Sequence, residues 1–398
     1  MKHKTIILIA VFLICGLAGA SAMDFGASLG VQFKSEKIEE TVNSGIISLA
    51  PWFYMPIGEA DLNIAAGVQL DINNKKRKVF VPELFRLEFS AKPIDGLYLK
   101  VGRFFWKDAS QFTAKGNFDG VDAVYDLGIV RVGAAALYTG LLYKDTANIN
   151  VSPTDPKMEY YFSDFKWSEI GNTFYAPRRL LLSVYGDFPG LPIERGSLQA
   201  GLLFQFDCSK ASEKFHTQYF LLRDSFAYKD FDGAVAGALG LEKTKADGTR
   251  IGLGFTAEGG WQTPAPIKDR LSLGMIWASG ETEGKLASYY PVVVEPQGIV
   301  MQQHFSSIMA IKPAYEARIM QTLSAILGLQ YYFITDAKEY LYDNKRAMGL
   351  EVDGTLMWVP FSDLSFNVIG GLFFPKAGNV MKDEPVMYSI TIGGTFSF

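Results

Sequence analysis

The chain is 398 residues long, 48% hydrophobic and 14% aromatic, with 38 basic against 42 acidic side chains. That balance leaves no basic footprint for nucleic acid. Three histidines and two cysteines are too few for a metal centre or a disulfide framework, so neither a cofactor nor enzymatic activity is expected.

The first segment reads as an export signal. Met1 to Lys4 is basic, Thr5 to Leu17 is apolar, and Ala20-Ser21-Ala22 is a small-x-small cleavage site. Residues 1–22 are therefore expected to be removed, with Met23 opening the mature chain. Cys15 falls inside the apolar run behind the bulky Ile14, which does not suit a lipoprotein site; Cys208 then remains alone, and no intramolecular disulfide can form. Beyond Ala22 no apolar stretch approaches the roughly 20 residues of a membrane helix. No linker or shift of composition interrupts residues 23–398, which are expected to form one domain. Many of the 39 glycines lie inside apolar segments, where they weaken helices but suit bent, closely packed strands.

Those segments alternate with period two. From Asp24 to Lys34 one face carries Phe25, Ala27, Leu29, Val31 and Phe33, and the other Asp24, Gly26, Ser28, Gly30, Gln32 and Lys34. The pattern returns at Asp61–Ile72. Taken along the chain, it predicts 18 strands at 24–34, 45–57, 61–72, 80–91, 97–105, 118–127, 129–141, 178–188, 196–207, 215–227, 232–242, 249–262, 269–280, 305–318, 322–334, 346–359, 364–374 and 386–398. Blurred alternation around 118–141 and 215–242 leaves 16 open. Connections after even strands are short and turn-like; those after odd strands are generally longer and polar. Greasy faces repeated without helices to cover them need lipid or a second sheet.

The last strand decides between these. In Tyr388 to Phe398, Tyr388, Ile390, Ile392, Gly394, Phe396 and Phe398 share one face, and Ser389, Thr391, Gly393, Thr395 and Ser397 the other. A strand of this kind ending on an aromatic residue resembles the C-terminal strand of Gram-negative outer-membrane β-barrels of the porin-like kind. The resemblance implies a closed antiparallel transmembrane β-barrel with short periplasmic turns and long extracellular loops. It also implies that Tyr388, Phe396 and Phe398 form an insertion signal read by the barrel-insertion machinery. Trp261 and Trp358, just before short turns, are expected at the periplasmic interface, and Trp277 at the outer one.

Polar faces of the strands carry Arg86, Glu88, Lys100, Arg131, Arg250, Glu258, Arg270, Lys312, Glu316, Arg318, Glu351 and Asp353. A basic residue facing lipid at mid-depth would cost roughly 2–4 kcal/mol, so these charges are expected to line a wet pore. Arg103 falls on the greasy face, and a bulge at Gly102 would turn it inward. Val101-Gly102-Arg103 with Phe118-Asp119-Gly120-Val121 also resembles, more weakly, a G-R…F-D-G pattern of alginate-export-type barrels. That family has an Arg-rich polysaccharide channel; the balanced signs here depart from it.

The loop 142–177 is rich in aromatics and is expected either to narrow the pore or to pack over the rim or a neighbouring subunit, so an oligomer is possible. Loop 281–304 is the second candidate. The first strand begins within two residues of the cleavage site, which leaves no room for a plug domain. Passive diffusion of small hydrophilic solutes, sugars among them, is the resulting expectation. The alternatives are a surface-exposed adhesin or structural outer-membrane protein, and an outer-membrane hydrolase using His216 or His304, although neither histidine has a nucleophile or acid at motif spacing.

Overall fold

The computed structural model describes residues 23–74, 78–152, 168, 170, 174–209, 214–244, 248–265, 267–282, 286–336 and 345–398. The export segment 1–22 and the aromatics at 160–167 of the longest loop lie outside the described residues.

Eighteen strands follow one another: β1 (Asp24–Lys37), β2 (Thr41–Ile57), β3 (Ala60–Asn73), β4 (Lys78–Ile94), β5 (Leu97–Lys107), β6 (Lys115–Asp126), β7 (Arg131–Tyr138), β8 (Arg179–Pro189), β9 (Gly196–Asp207), β10 (His216–Tyr228), β11 (Phe231–Thr244), β12 (Gly248–Gln262), β13 (Arg270–Ala278), β14 (Ile308–Met320), β15 (Leu323–Ile334), β16 (Ala347–Phe361), β17 (Leu364–Phe374) and β18 (Met387–Ser397). Each pairs antiparallel with the next, and β18 returns to β1 in a continuous register from Ser28↔Ser397 to Lys37↔Tyr388. Two backbone hydrogen bonds fasten the closure at its end: the Ala27 N–H donates to the Phe398 carbonyl at 2.7 Å, and the Phe398 N–H to the Ala27 carbonyl at 2.9 Å. A closed sheet has no free edge, the condition lipid imposes on backbone amides.

Alternation in the sequence becomes inside and outside here. On β1, Phe25 is 80% exposed and Val31 and Phe33 about half, all on the outer face. An apolar belt of this extent would be an aggregation surface in water and is the lipid-facing band of a barrel. At the end bearing the short turns, aromatic pairs stack on β11–β12 and β16–β18: Phe231 on Trp261, Trp358 on Phe366, and Phe396 on Phe398. Trp277 sits toward the opposite, loop-bearing end, half buried on β13.

One connection is shorter than the pattern implies. The stretch 35–44 is mostly ladder, with Ser35↔Asn43, Glu36↔Val42 and Lys37↔Thr41 paired. Its residues are mostly polar, Ile38 and Val42 excepted, so the period-two signal ends although the backbone pairing continues.

Candidate functional site: the lumen and its constriction

Several connections at the loop end fold into the barrel and share one apolar core with its inner wall. Phe104, Trp106, Phe118, Leu181, Leu203, Tyr219, Ile308 and Tyr332 point inward from the strands; Tyr289, Val292, Val300 and Phe305 meet them from the connection 279–307, and Leu142 and Ile149 from the connection after β7. Burial of such side chains contributes roughly 1.5–3 kcal/mol each, which holds these segments in place without covalent cross-links.

The segment 108–114 is a compact turn built on Asp108. Its carboxylate accepts the N–H groups of Ser110 at 2.6 Å, Gln111 at 3.1 Å and Ala114 at 2.5 Å. Burial pushes the Asp108 carboxyl up in pKa, although the hydrogen bonds oppose the shift. From this turn, the Thr113 carbonyl accepts the Val292 N–H at 2.8 Å, and the Thr113 hydroxyl lies 2.7 Å from that of Tyr289. Phe112, Tyr289 and Phe305 form an edge-to-face cluster with centroids 4.8 to 6.1 Å apart. Asn150 ties in the third segment, its backbone N–H donating to Val292 and its amide to the Pro291 carbonyl, both at 2.9 Å.

Glu351 is the anchor of this assembly on the wall. Fully buried on β16, it accepts backbone N–H groups from three successive residues, Ile299 at 2.6 Å, Val300 at 2.8 Å and Met301 at 2.9 Å. Consecutive amides converging on one carboxylate make an anion nest. The approach requires Gly298, where a Cβ would stand 2.3 Å from the Tyr332 hydroxyl and 2.7 Å from Glu351. Lys312 donates to the Gln297 carbonyl at 2.8 Å, and Asp353, 7% exposed, accepts from Gln330. Glu351 and Lys312 therefore hold the inserted loop, and Glu351 is covered by it rather than bathed in pore water.

The other anticipated pore residues are mostly paired along the wall. Arg86 reaches Glu88 at 2.8 Å, Arg131 bonds Asp187, and Arg250 meets Glu281 at 3.1 Å and the Leu286 carbonyl at 3.2 Å. Arg270 gathers Asp232 at 2.6 Å, Glu258 at 2.9 Å and Glu316 at 3.2 Å near the turn end. Arg318 donates to the Gln321 carbonyl at 3.0 Å, and Lys100 faces Asp122 across the ladder. A cavity of about 880 Å³ opens beside Arg270, Glu316 and Arg318. The buried pair Arg179–Asp207, 3.0 Å apart, escapes a reading of single residues. The β8–β9 register sets the two opposite each other, and that register is the signal from which the pair follows. His216 spends its Nδ1 on the Asp207 backbone N–H at 3.2 Å, a bond that ties strand ends together.

No residue of β1–β4 belongs to the main core cluster among the described residues. On that arc the inward face carries Lys34 and Glu36, 2.5 Å apart, Tyr54 bonded to Asp61, and Arg86, 48% exposed, with Ile46, Trp52 and Val81 among them. The inserted loops thus pack mainly against β5–β18 and touch this arc at β4, where Tyr143 meets Val81 and Thr146 bonds Glu83.

No protein-family model and no curated protein matches the sequence. Solved structures do match in three dimensions. Pseudomonas aeruginosa OccK2 (OpdF), determined in complex with glucuronate, superposes with a TM-score of 0.62 at 10% identity, over 94% of this chain and 98% of that one. P. aeruginosa OpdQ gives 0.62 at 10% identity over 95% and 99%, and Acinetobacter baumannii OccAB4 gives 0.59 at 10% over 95% and 98%. The fold is that of a porin-like outer-membrane barrel.

In this porin-like barrel the glycine-arginine motif belongs to the wall. The β5–β6 register is unbroken from Leu97↔Tyr125 to Lys107↔Lys115, so Arg103 keeps the parity of the outward Val101 and Phe105 and is not turned into the lumen. Its guanidinium lies within the wall, bound to both carboxylate oxygens of its register partner Asp119 at 2.8 Å and to the carbonyls of Leu84 at 2.7 Å and Leu141 at 3.0 Å. Gly102, at φ +109°, passes so close to β4 that a Cβ would lie 2.0 Å from the Leu87 carbonyl oxygen. Breaking a buried pair of this kind costs roughly 3–5 kcal/mol. Arg103→Ala should therefore lower the urea midpoint of unfolding in lipid vesicles markedly, and adding Asp119→Ala should recover part of the loss. A fully additive double variant would show that the pair is not coupled.

Proposed function

We propose that the chain is an outer-membrane channel for passive diffusion of small hydrophilic solutes, exported by its N-terminal signal. What carries this reading is the asymmetric filling of a closed barrel, with loops interlocked mainly against β5–β18 and the more polar arc along β1–β3 left outside that core. Pore size and wall charge then select the solute. Arg86 on the adjoining β4, bound to Glu88 and half exposed, offers a cation to a carboxylate, and Asp61, Asn63 and Gln69 along the neighbouring β3 offer acceptors, groups suited to hydroxyl-rich solutes that carry an acid. Glucuronate, found in the OccK2 structure, is the first compound of that class to test. Proteoliposomes should swell faster in glucose and glucuronate than protein-free vesicles do; equal rates would remove the proposal.

The charges toward the turn end set ion preference in this scheme. Arg270 is outnumbered by the three carboxylates it binds. Arg270→Gln should therefore shift reversal potentials toward cation selectivity, and the shift should shrink in concentrated salt, since the Debye length falls from about 10 Å at 0.1 M to about 3 Å at 1 M. A shift toward anions would contradict an accessible acidic ring.

The same proposal assigns Tyr388, Phe396 and Phe398 to recognition by the barrel-insertion machinery. Ile390, Ile392, Phe396 and Phe398 are exposed on the outer face of β18, consistent with an apolar signal presented before closure. Deleting Phe398 should lower membrane levels while periplasmic protein accumulates. Unchanged membrane levels would count against the assignment.

A further inference from the structure

The wall is interrupted on one side. β4 pairs with β3 from Lys78 to Ala91, and β5 pairs with β6 along its whole length, yet β4 and β5 are in register only from Leu87↔Arg103 to Ile94↔Leu97. Among the described residues, β4 above Leu87 and β5 above Arg103 have no ladder between them. Two carbonyls exposed on the β4 edge are instead met by side chains: Leu84 by Arg103 at 2.7 Å, and Phe85 by Asn117 at 3.2 Å, reaching across from β6. The connection after β7 fills the gap. Its Leu141 carbonyl sits on Arg103 at 3.0 Å, its Tyr143 packs in a small cluster with Val81, and its Thr146 hydroxyl donates to Glu83.

A cavity of about 400 Å³ lies in this seam. Its lining joins the two faces of the wall. Phe105, 54% exposed among the outward residues, lines it together with Phe112 and Val293 of the inserted loops, and Leu84 and Leu142 add apolar surface. Glu83, Arg103 and Asn117 also border it, Arg103 and Asn117 each bonded to a β4 carbonyl and Glu83 to Thr146. Lys115 and Glu295, paired at 3.0 Å, mark a polar end. An unpaired strand edge in lipid is costly, because no water can satisfy it. Here separable side-chain and loop contacts satisfy it in place of a ladder.

We propose that the β4–β5 seam is a lateral site that takes the hydrocarbon chain of a single-chain or lipid amphiphile, with the chain between Phe105 and Phe112 and the polar head toward Lys115. The occupant follows from the surroundings. The outward Phe105 puts one side of the cavity among lipid-facing residues, Leu84, Phe112, Leu142 and Val293 give it apolar surface, and its volume falls in the range of small-molecule sites, about 300–1,000 Å³. This site is independent of the aqueous path along β1–β4 and stands or falls without it.

The test uses the full mature barrel in lipid nanodiscs. In one arm, phospholipid carrying a photoactivatable diazirine in its acyl chain is the probe; in the other, a diazirine-bearing dodecyl maltoside is added to unlabelled nanodiscs. Labelled peptides are then identified by mass spectrometry. The expected result is labelling of the 108–114 segment, which the wall shields from bilayer lipid, in addition to the outer belt, and its loss in Leu84→Trp, whose side chain fills the cavity. Labelling in the first arm assigns the site to membrane lipid, and labelling only in the second to a free amphiphile. Labelling confined to outward residues in both arms overturns the proposal. Belt labelling in Leu84→Trp, together with an unchanged heat shift on gels, shows that the variant is folded.

Discussion

Glu351→Ala should raise single-channel conductance severalfold and lower the thermal stability of the barrel. Among the described residues the Glu351 carboxylate accepts the N–H groups of Ile299, Val300 and Met301, and each buried donor left without an acceptor costs roughly 1–3 kcal/mol. The loop meets that cost most readily by leaving the wall and hydrating its amides, which widens the lumen. Glu351→Gln keeps one acceptor oxygen and should lie between wild type and alanine. A pure change of ion selectivity at constant conductance would instead mean that Glu351 faces the permeating ions.

A larger widening is expected when the shared aromatic cluster is removed. Phe112→Ala, Tyr289→Ala and Phe305→Ala together delete the contact through which the 108–114 turn and the 279–307 connection hold each other. Large-to-small changes of buried aromatics such as Tyr289 and Phe305 cost roughly 3–5 kcal/mol each, and the partly buried Phe112 adds to that, more than the interlock is expected to withstand. Conductance of the triple variant should exceed that of Glu351→Ala, with the strands still assembled as judged by the heat shift on gels. Unchanged conductance in a folded triple variant would show that the inserted loops do not limit flow.

The strands were legible because lipid on one side and water on the other impose strict alternation, and a chain of alternating segments states its own topology. β1 and β18 illustrate this: each shows its outer face in the sequence, and closure follows from having no other way to satisfy the edges. Charges were legible as a set but not as partners. Arg131 faces Asp187, Arg270 faces Glu316 and Arg179 faces Asp207 because hairpin registers place them so, and register depends on where each turn is made. Arg103 defied alternation because it satisfies a broken ladder, a long-range event that local periodicity does not carry. Likewise Glu351 resembles any inward carboxylate until the loop that covers it, some fifty residues earlier in the chain, is in place.

The most direct measurement is planar-bilayer conductance of the wild-type barrel beside the Phe112, Tyr289 and Phe305 triple variant in the same salt. The expected result is a small, stable ohmic conductance in wild type and a larger one in the variant. Folded, inserted protein that conducts in neither form would contradict a solute path through the lumen.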